Sequence, residues 1–249
     1  MTKKILLCGN YGAGNLGDEA ILAGFLRQLE GDITVMSANP AATTKEFGVP
    51  SVGRVPSGFR SNLKALLSPG QLRETKKAIS DCDCFVLGGG TLLTDEPPAS
   101  MFVWGAQLKA VFKQNKPIEI RAGGVGPFHS DWARKRATSI LENATTITVR
   151  DQKSKETVKK LINKEVSVVS DLVLANPPTI PQVIPQKDLV ILSPRYWQKG
   201  HENTQKALQE FVHYLCASQK KYIIGIPFEK NNERDLKMLA EIFNQPGVK

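Results

Sequence analysis

No apolar run in the 249-residue chain approaches the ~18 residues that a membrane-spanning helix needs. The longest, such as Ile5-Leu6-Leu7-Cys8, have the length of a strand. The first apolar stretch ends at Gly9, short of a signal-peptide core of about 7–15 residues, so a cytoplasmic location is expected. Cysteine is scarce, and of Cys8, Cys82, Cys84 and Cys216 only Cys82 and Cys84 are neighbours. That spacing excludes a disulfide scaffold, and a lone C-x-C lacks the second ligand pair of a zinc site. Reduced thiols in or near the core are expected instead. His129, His201 and His213 are scattered without ligand spacing, so no metal is expected. The chain has neither a G-x-S-x-G elbow nor a Walker G-x-x-x-x-G-K-[ST] loop.

Hydrophobic residues make up 41% of the chain and charged residues 23%, which excludes a disordered polymer. The net charge of +9, from 33 basic and 24 acidic side chains, favours anionic partners. These include nucleic acid, an anionic membrane leaflet, and phosphorylated or carboxylated ligands. No Lys/Arg block or aromatic-basic stripe marks a nucleic-acid face, so no nucleic-acid partner is expected. The densest cluster, Arg134-Lys135-Arg136, reads as a solvated helix face.

Strand and helix patterns alternate along the chain. Lys4–Cys8 reads as a buried strand, and Asp18–Leu29 as a helix with Ile21, Leu22, Phe25, Leu26 and Leu29 on one face. Further strands are expected at 32–37, 84–87, 117–121, 145–149 and 166–169, and further helices at 71–80, 99–113, 130–142 and 154–161. Gly48–Gly70, rich in Gly, Pro and Ser, reads as a long irregular connection. The order predicts an α/β fold with a doubly wound, mostly parallel sheet over residues 1–175. Residues 176–187 read as a stiff proline-rich linker. A second cycle follows over 188–249, with strands at 189–192 and 222–226 and helices at 203–218 and 233–243. Two strands and two helices are few for an independent sheet domain, so the chain is expected to stop inside a second Rossmann-like unit. The alternative is one larger domain that absorbs these elements.

Motifs with chemical content fall at the predicted strand ends. Gly9-Asn10-Tyr11-Gly12-Ala13-Gly14-Asn15-Leu16-Gly17-Asp18-Glu19 leaves a strand and opens a helix. Gly12, Gly14 and Gly17 fit G-x-G-x-x-G, a pattern that brings backbone N–H groups to an anion at a helix N-terminus. The ribose-binding acid expected about 20 residues on is missing, since that stretch reads Met36-Ser37-Ala38-Asn39-Pro40, so no nicotinamide cofactor is expected. Asp18 serves equally as a helix cap. Gly88-Gly89-Gly90 strips side chains from the carboxyl edge of the sheet, for a ligand or for close helix packing. Gly123-Gly124-Val125-Gly126-Pro127 follows another strand. Arg150 is delivered to the same edge beside Asp151, as an anion clamp or as half of a local ion pair. Arg195, in Leu192-Ser193-Pro194-Arg195-Tyr196-Trp197, ends the first strand beyond the linker.

Taken together, G-N-Y-G-A-G-N-L-G-D-E-A-I-L at 9–22, G-G-G-T-L-L-T-D at 88–95, G-V-G-P at 124–127, T-V-R-D-Q-K-S at 148–154, S-D-L-V-L-A at 170–175, L-S-P-R-Y-W at 192–197 and I-P-F-E-K-N-N-E-R-D at 226–235 resemble the bacterial polysaccharide pyruvyl transferase family. The motifs are collinear over essentially the whole chain. The resemblance implies a GT-B-like pair of Rossmann-like domains and transfer of a pyruvyl group from phosphoenolpyruvate to a sugar of a cell-wall or extracellular polysaccharide, forming a pyruvate ketal. It implies no cofactor beyond the donor substrate. The family's later Arg-x-His motif does not occur in this chain, and Arg121-Ala122-Gly123-Gly124 stands where the family has Gly-Gln-Gly-Ile.

Such a donor carries a phosphate and a carboxylate, which call for cations and N–H donors. Asn10, Gly12, Gly14, Asn15, Gly17, Gly89, Gly90, Arg150 and Arg195 are the expected binding residues. Ketal formation needs an acid for the enol carbon and a base for the sugar hydroxyl. Asp18 and Asp95 rank first for these roles, ahead of Glu19 and Asp171, with Arg195 assisting catalysis. The basic charge suits a lipid-linked acceptor and peripheral contact with the inner face of the cell membrane. A sugar-nucleotide glycosyltransferase and a truncated, non-catalytic ligand-binding relative remain the alternatives.

Overall fold

The computed structural model describes residues 2–58, 69–175, 188–196, 201–228 and 233–244. The linker expected at 176–187 and the chain end at 245–249 lie outside the described residues. Two compact units emerge, one of Met1–Ala13 with Gly17–Pro177 and one of Gly14–Leu16 with Pro178–Lys249.

The first unit is a parallel sheet built from β1 (Lys4–Cys8), β2 (Asp32–Ser37), β3 (Ser51–Gly53), β4 (Cys84–Gly88), β5 (Thr91–Leu93), β6 (Ile118–Val125), β7 (Thr146–Val149) and β8 (Ser167–Val168). Its order is β3-β2-β1-β4-β6-β7-β8, with β5 paired to β6. Ile5 lies opposite Ile33 on one side and Cys84 on the other. Strand β1 is therefore the point where the winding reverses, and the carboxyl ends of β1 and β4 lie side by side there. In open α/β sheets such a switch point is where ligands bind.

Both sheet faces are covered, so the strands read as continuous apolar runs rather than alternating ones. Leu6, Cys8, Phe85 and Leu87 point into one core layer. That layer is filled by α3 (Pro69–Asp81), α4 (Ser100–Phe112), α5 (Asp131–Asn143) and α6 (Gln152–Leu161), through Ile79, Trp104, Leu108, Ile140 and Val158. Ile5, Leu7, Cys84 and Val86 point to the other layer, against Ile21, Leu22 and Phe25 of α1 (Leu16–Gln28) and against Leu172. The thiols of Cys8, Cys82 and Cys84 are buried and free.

Three elements depart from the sequence expectation. A short helix α2 (Pro40–Phe47) fills the stretch after β2. Its start is set by Asn39, whose Oδ1 accepts from Ala42 N–H, with Pro40 opening the first turn, and its end by Gly48 in the left-handed region at φ +66°. Part of the stretch read as irregular is β3, which pairs with β2 as Val35–Ser51 and Ser37–Gly53. Strand β6 runs on to Val125 past a bulge at Ala122, where φ is +51°, so Gly123 and Gly124 belong to the strand rather than to a loop.

In the second unit, β9 (Leu189–Leu192) and β10 (Tyr222–Gly225) form a parallel two-stranded sheet of their own. Helices α7 (His201–His213) and α8 (Glu233–Phe243) pack through Val212, Met238 and Ile242. The buried Asp235 accepts from the backbone N–H of Tyr196 at 2.8 Å, which fixes the segment that follows β9.

Candidate functional site

The switch point is built by three chain segments. After β1 the chain turns at Gly9, where an added Cβ would sit 2.7 Å from the carbonyl oxygen of Gly88. Tyr11 is fully buried and donates its hydroxyl to that carbonyl at 2.8 Å, tying the ends of β1 and β4 together. Burial pushes the Tyr11 phenol far above its usual value, so it acts here as a donor and not as a titrating group. Gly12, at φ +69°, passes so close to β2 that a Cβ would meet Ser37 Oγ at 2.0 Å. Its N–H is donated to Glu19 Oε1 at 2.8 Å, so this amide serves the protein's own carboxylate.

Asp18 and Glu19 both lie in the first turn of α1, where the helix dipole favours negative charge. Asn10 Nδ2 donates to Asp18 Oδ2 at 2.8 Å. The glycines after β4 divide the work. Side chains at Gly88 and Gly89 would collide with Phe25 and Ile21, each at 2.1 Å, so their absence lets α1 close onto the sheet. Gly90, at φ +64°, has Asp18 Oδ1 3.1 Å from the place of its missing Cβ. Asn10, Asp18 and Gly90 thus come together at one carboxyl-edge position.

Arg54, at the carboxyl end of β3, also belongs here, and sequence reasoning passed over it. Its Nη2 donates to the Tyr11 carbonyl at 2.9 Å and to Asn10 Oδ1 at 3.3 Å. The guanidinium stacks over Trp104 at 5.0 Å from the ring centroid, and its Nε is buried without a hydrogen-bond partner. Burial lowers its pKa, opposed by the nearby Asp18 and Glu19 carboxylates. An arginine remains charged even so. The available signal was positional: an Arg directly after a parallel strand, as at Arg150. It was hidden because the strand itself lay in a Gly/Pro/Ser-rich stretch.

Arg150 follows β7. Its Nη1 reaches Asp171 Oδ2 at 3.1 Å, its Nη2 donates to Thr91 Oγ1 at 2.9 Å, and its Nε lies 3.7 Å from Asp151 Oδ2. Because Thr91 adjoins Gly90, and Gly124 N–H donates to the Gly90 carbonyl at 2.8 Å, Arg150 borders the same edge. The local ion pair weighed from the sequence is present, with Asp171 as the closer partner. Asp151 also caps α6 by accepting from Ser154 N–H at 2.7 Å.

Asp95 stands apart from this group. Its carboxylate accepts from the backbone N–H of His129 at 2.9 Å and from Ser130 N–H and Oγ at 2.8 and 3.0 Å, at the start of α5. Burial pushes its pKa up, but these donors outweigh it and hold the carboxyl below its usual value. A carboxyl held low stays ionised and is a weak base, which suits an anchor rather than a proton donor or acceptor. Gly17 lies in the first turn of α1, and Gly14, at φ +87°, and Asn15 are grouped with the second unit. Arg195 is exposed after β9 in that same unit. A cleft of about 440 Å³ lined by Phe25, Arg121, Thr148, Asp171 and Leu172, among others, takes in none of Asn10, Asp18 or Asp95. No helix among the described residues is long and apolar enough to cross a membrane.

Among solved structures, a UDP-N-acetylglucosamine 2-epimerase from Listeria monocytogenes matches with TM-score 0.64 at 12% identity, covering 100% of this chain and 68% of its own. The S. aureus MnaA–UDP co-structure matches with TM-score 0.64 at 9% identity, over 99% and 67%. A further UDP-N-acetylglucosamine 2-epimerase gives 0.59 at 13%, over 100% and 68%. At these identities the likeness establishes the fold, a GT-B-like α/β architecture with a parallel sheet. No curated protein sequence matches the chain. The family model for polysaccharide pyruvyl transferase matches residues 15–246, and the chain belongs to that family.

Proposed function

We propose that this protein transfers the pyruvyl group of phosphoenolpyruvate to a sugar of a cell-wall or extracellular polysaccharide, or to its lipid-linked precursor, as a ketal. The observation that carries this reading is the family match over 15–246, which takes in Asp18, Gly89, Gly90, Asp95, Arg150 and Arg195. In the reaction the methylene carbon of the donor gains a proton and becomes a methyl group, leaving an oxocarbenium-like centre. Two sugar hydroxyls add in turn to the neighbouring carbon, the one that carries the carboxylate, as its C–O bond to phosphate breaks. Of the two hydroxyl protons released, one balances the new methyl hydrogen and the other leaves on phosphate.

Asp18 is the residue assigned to the sugar hydroxyl proton. It is oriented by Asn10 and faces the gap left open at Gly90. Two carboxylates in the first turn of α1 disfavour a phosphate at that helix end, so an anionic group of the donor falls to Arg150. The net charge of +9 suits a diphosphate-bearing, lipid-linked acceptor at the inner face of the membrane.

Calorimetric titration with phosphoenolpyruvate tests the assignment. Arg150→Ala should weaken binding about 10- to 100-fold, the loss of one partly exposed charged contact of about 1–3 kcal/mol. Asp18→Asn should bind the donor and lose turnover. Unchanged donor affinity in a folded Arg150→Ala protein removes Arg150 from the site. Release of UDP from a nucleotide sugar, in place of phosphate from phosphoenolpyruvate, would turn the reading toward a glycosyltransferase.

A further inference from the structure

Arg54 is held in place by buried groups on both sides of it in the chain. On its N-terminal side the Gly53 carbonyl accepts from the buried Thr75 hydroxyl at 2.9 Å. On its C-terminal side Val55 is gripped at both backbone atoms by Gln107, which is fully buried: Val55 N–H donates to Oε1 at 2.7 Å, and Nε2 donates to the Val55 carbonyl at 2.9 Å. Gln107 and Trp104, whose ring carries the guanidinium, lie on the same helix α4. The backbone and the plane of Arg54 are therefore both fixed by buried groups.

What this fixed cation touches is the Asn10 amide. Its Oδ1 accepts from Arg54 Nη2, and its Nδ2 donates to Asp18 Oδ2. The amide cannot turn over, because the flipped form would set its N–H groups against the guanidinium and its oxygen against the carboxylate. A cation on one side and an anion on the other thus select one orientation. The groups that face this relay are Cys8, Tyr11, Asp18 and Glu19. Among these groups Arg54 supplies the positive charge and Asp18 and Glu19 the carboxylates.

We propose that Arg54 is the positioning residue for Asp18: through the Asn10 amide it sets the direction of the Asp18 carboxylate toward the space above Gly90. The proposal rests on the reading of Asp18 as the group that takes the acceptor's proton. Arg54 acts on Asp18 through Asn10: its Nη2 is shared between Asn10 Oδ1 and the Tyr11 carbonyl.

Two measurements separate this role from mere folding support. The first needs no activity. In the folded wild-type protein the Asn10 side-chain amide protons, assigned by their loss in Asn10→Ala, should exchange slowly. In Arg54→Met their protection should fall about tenfold or more, the loss of a charged hydrogen bond. The second is kinetic. Arg54→Met should lower kcat about 10- to 100-fold, as a misaligned group does, with KM for the donor within about threefold. Combined with Asp18→Asn it should add less than about threefold to the loss from Asp18→Asn alone, because both changes remove one function. Should Arg54→Met fail to fold, Arg54→Lys serves for both. It keeps the charge, but it lacks the planar guanidinium that stacks on Trp104, so its head is not held in place against Asn10. Unchanged Asn10 protection in a folded variant, or losses that multiply in the double variant, overturns the proposal. If the protein transfers no pyruvyl group, the exchange measurement still decides whether Arg54 orients Asn10, and the failure falls on the proposed reaction alone.

Discussion

Replacing the two glycines that follow β4 one at a time separates packing from ligand chemistry within a single turn. Gly89→Ala puts a methyl group 2.1 Å from Ile21 Cγ2, a methyl held on α1, at a residue whose φ is +73°. The left-handed conformation costs an alanine about 1–2 kcal/mol, and forcing a methyl into a packed layer costs about 1–3 kcal/mol more. The sum of about 2–5 kcal/mol corresponds to a fall of about 4–20 °C in Tm, at roughly 2–4 °C per kcal/mol for a chain of this size. Gly90→Ala pays only the conformational part, because its nearest neighbour is Asp18 Oδ1 at 3.1 Å. Its Tm should drop by about 2–8 °C, and its damage should appear in turnover, where the new methyl crowds Asp18. Thermal denaturation and a phosphate-release assay on both variants give the two readouts. Equal destabilisation with equal activity loss would refute the division of labour, and so would a Gly89→Ala protein of wild-type Tm.

Other outcomes follow from the electrostatics and the caps. The Asp95 and Asp151 carboxyls are held below their usual value, so their stabilisation is complete above the unfolded value of about 3.9 and is lost as pH falls below it. Asp95→Asn should therefore flatten the decline in urea midpoint below about pH 4, and an unaltered acid limb would count against the Asp95 anchor. Asp151→Ala removes the side-chain cap of α6 and should cost about 1 kcal/mol in a urea titration, against no change if the helix start is held otherwise. The Cys8 and Cys84 thiols are each pushed up to about 12, Cys8 by burial and Cys84 by burial and by donation to Glu119. Neither should react with a disulfide reagent at pH 8 until denaturant is added, and rapid labelling of either in the folded protein would contradict its placement.

The doubly wound sheet was legible because its strands are apolar on both faces, so runs such as Ile5–Cys8 and Cys84–Leu87 stand out whatever lies around them. The short helix Pro40–Phe47 escaped because it buries only Thr43, leaving no apolar stripe, although Asn39, Pro40 and Gly48 spelled out its ends. Strand β3 escaped because three residues carry no period. The site was half legible for a related reason. Glycine after a strand serves ligand approach and helix packing alike, and only the neighbours, Phe25 and Ile21 at Gly88 and Gly89 but Asp18 at Gly90, tell the two apart. Asn10 and Asp18 could be placed at one edge from the sequence, whereas their mutual hydrogen bond and the hand of Arg54 upon it depend on how β1 and β3 flank β2.

The measurement closest to the central claim follows the donor's methylene carbon. Phosphoenolpyruvate labelled with ¹³C at that carbon, incubated with the protein and candidate hexose or aminosugar acceptors, should yield phosphate and an equal amount of a sugar-linked product. In that product the labelled carbon appears as a methyl group next to a ketal carbon. Label remaining in the vinyl position with every acceptor, or emerging only as free pyruvate, would contradict pyruvyl transfer.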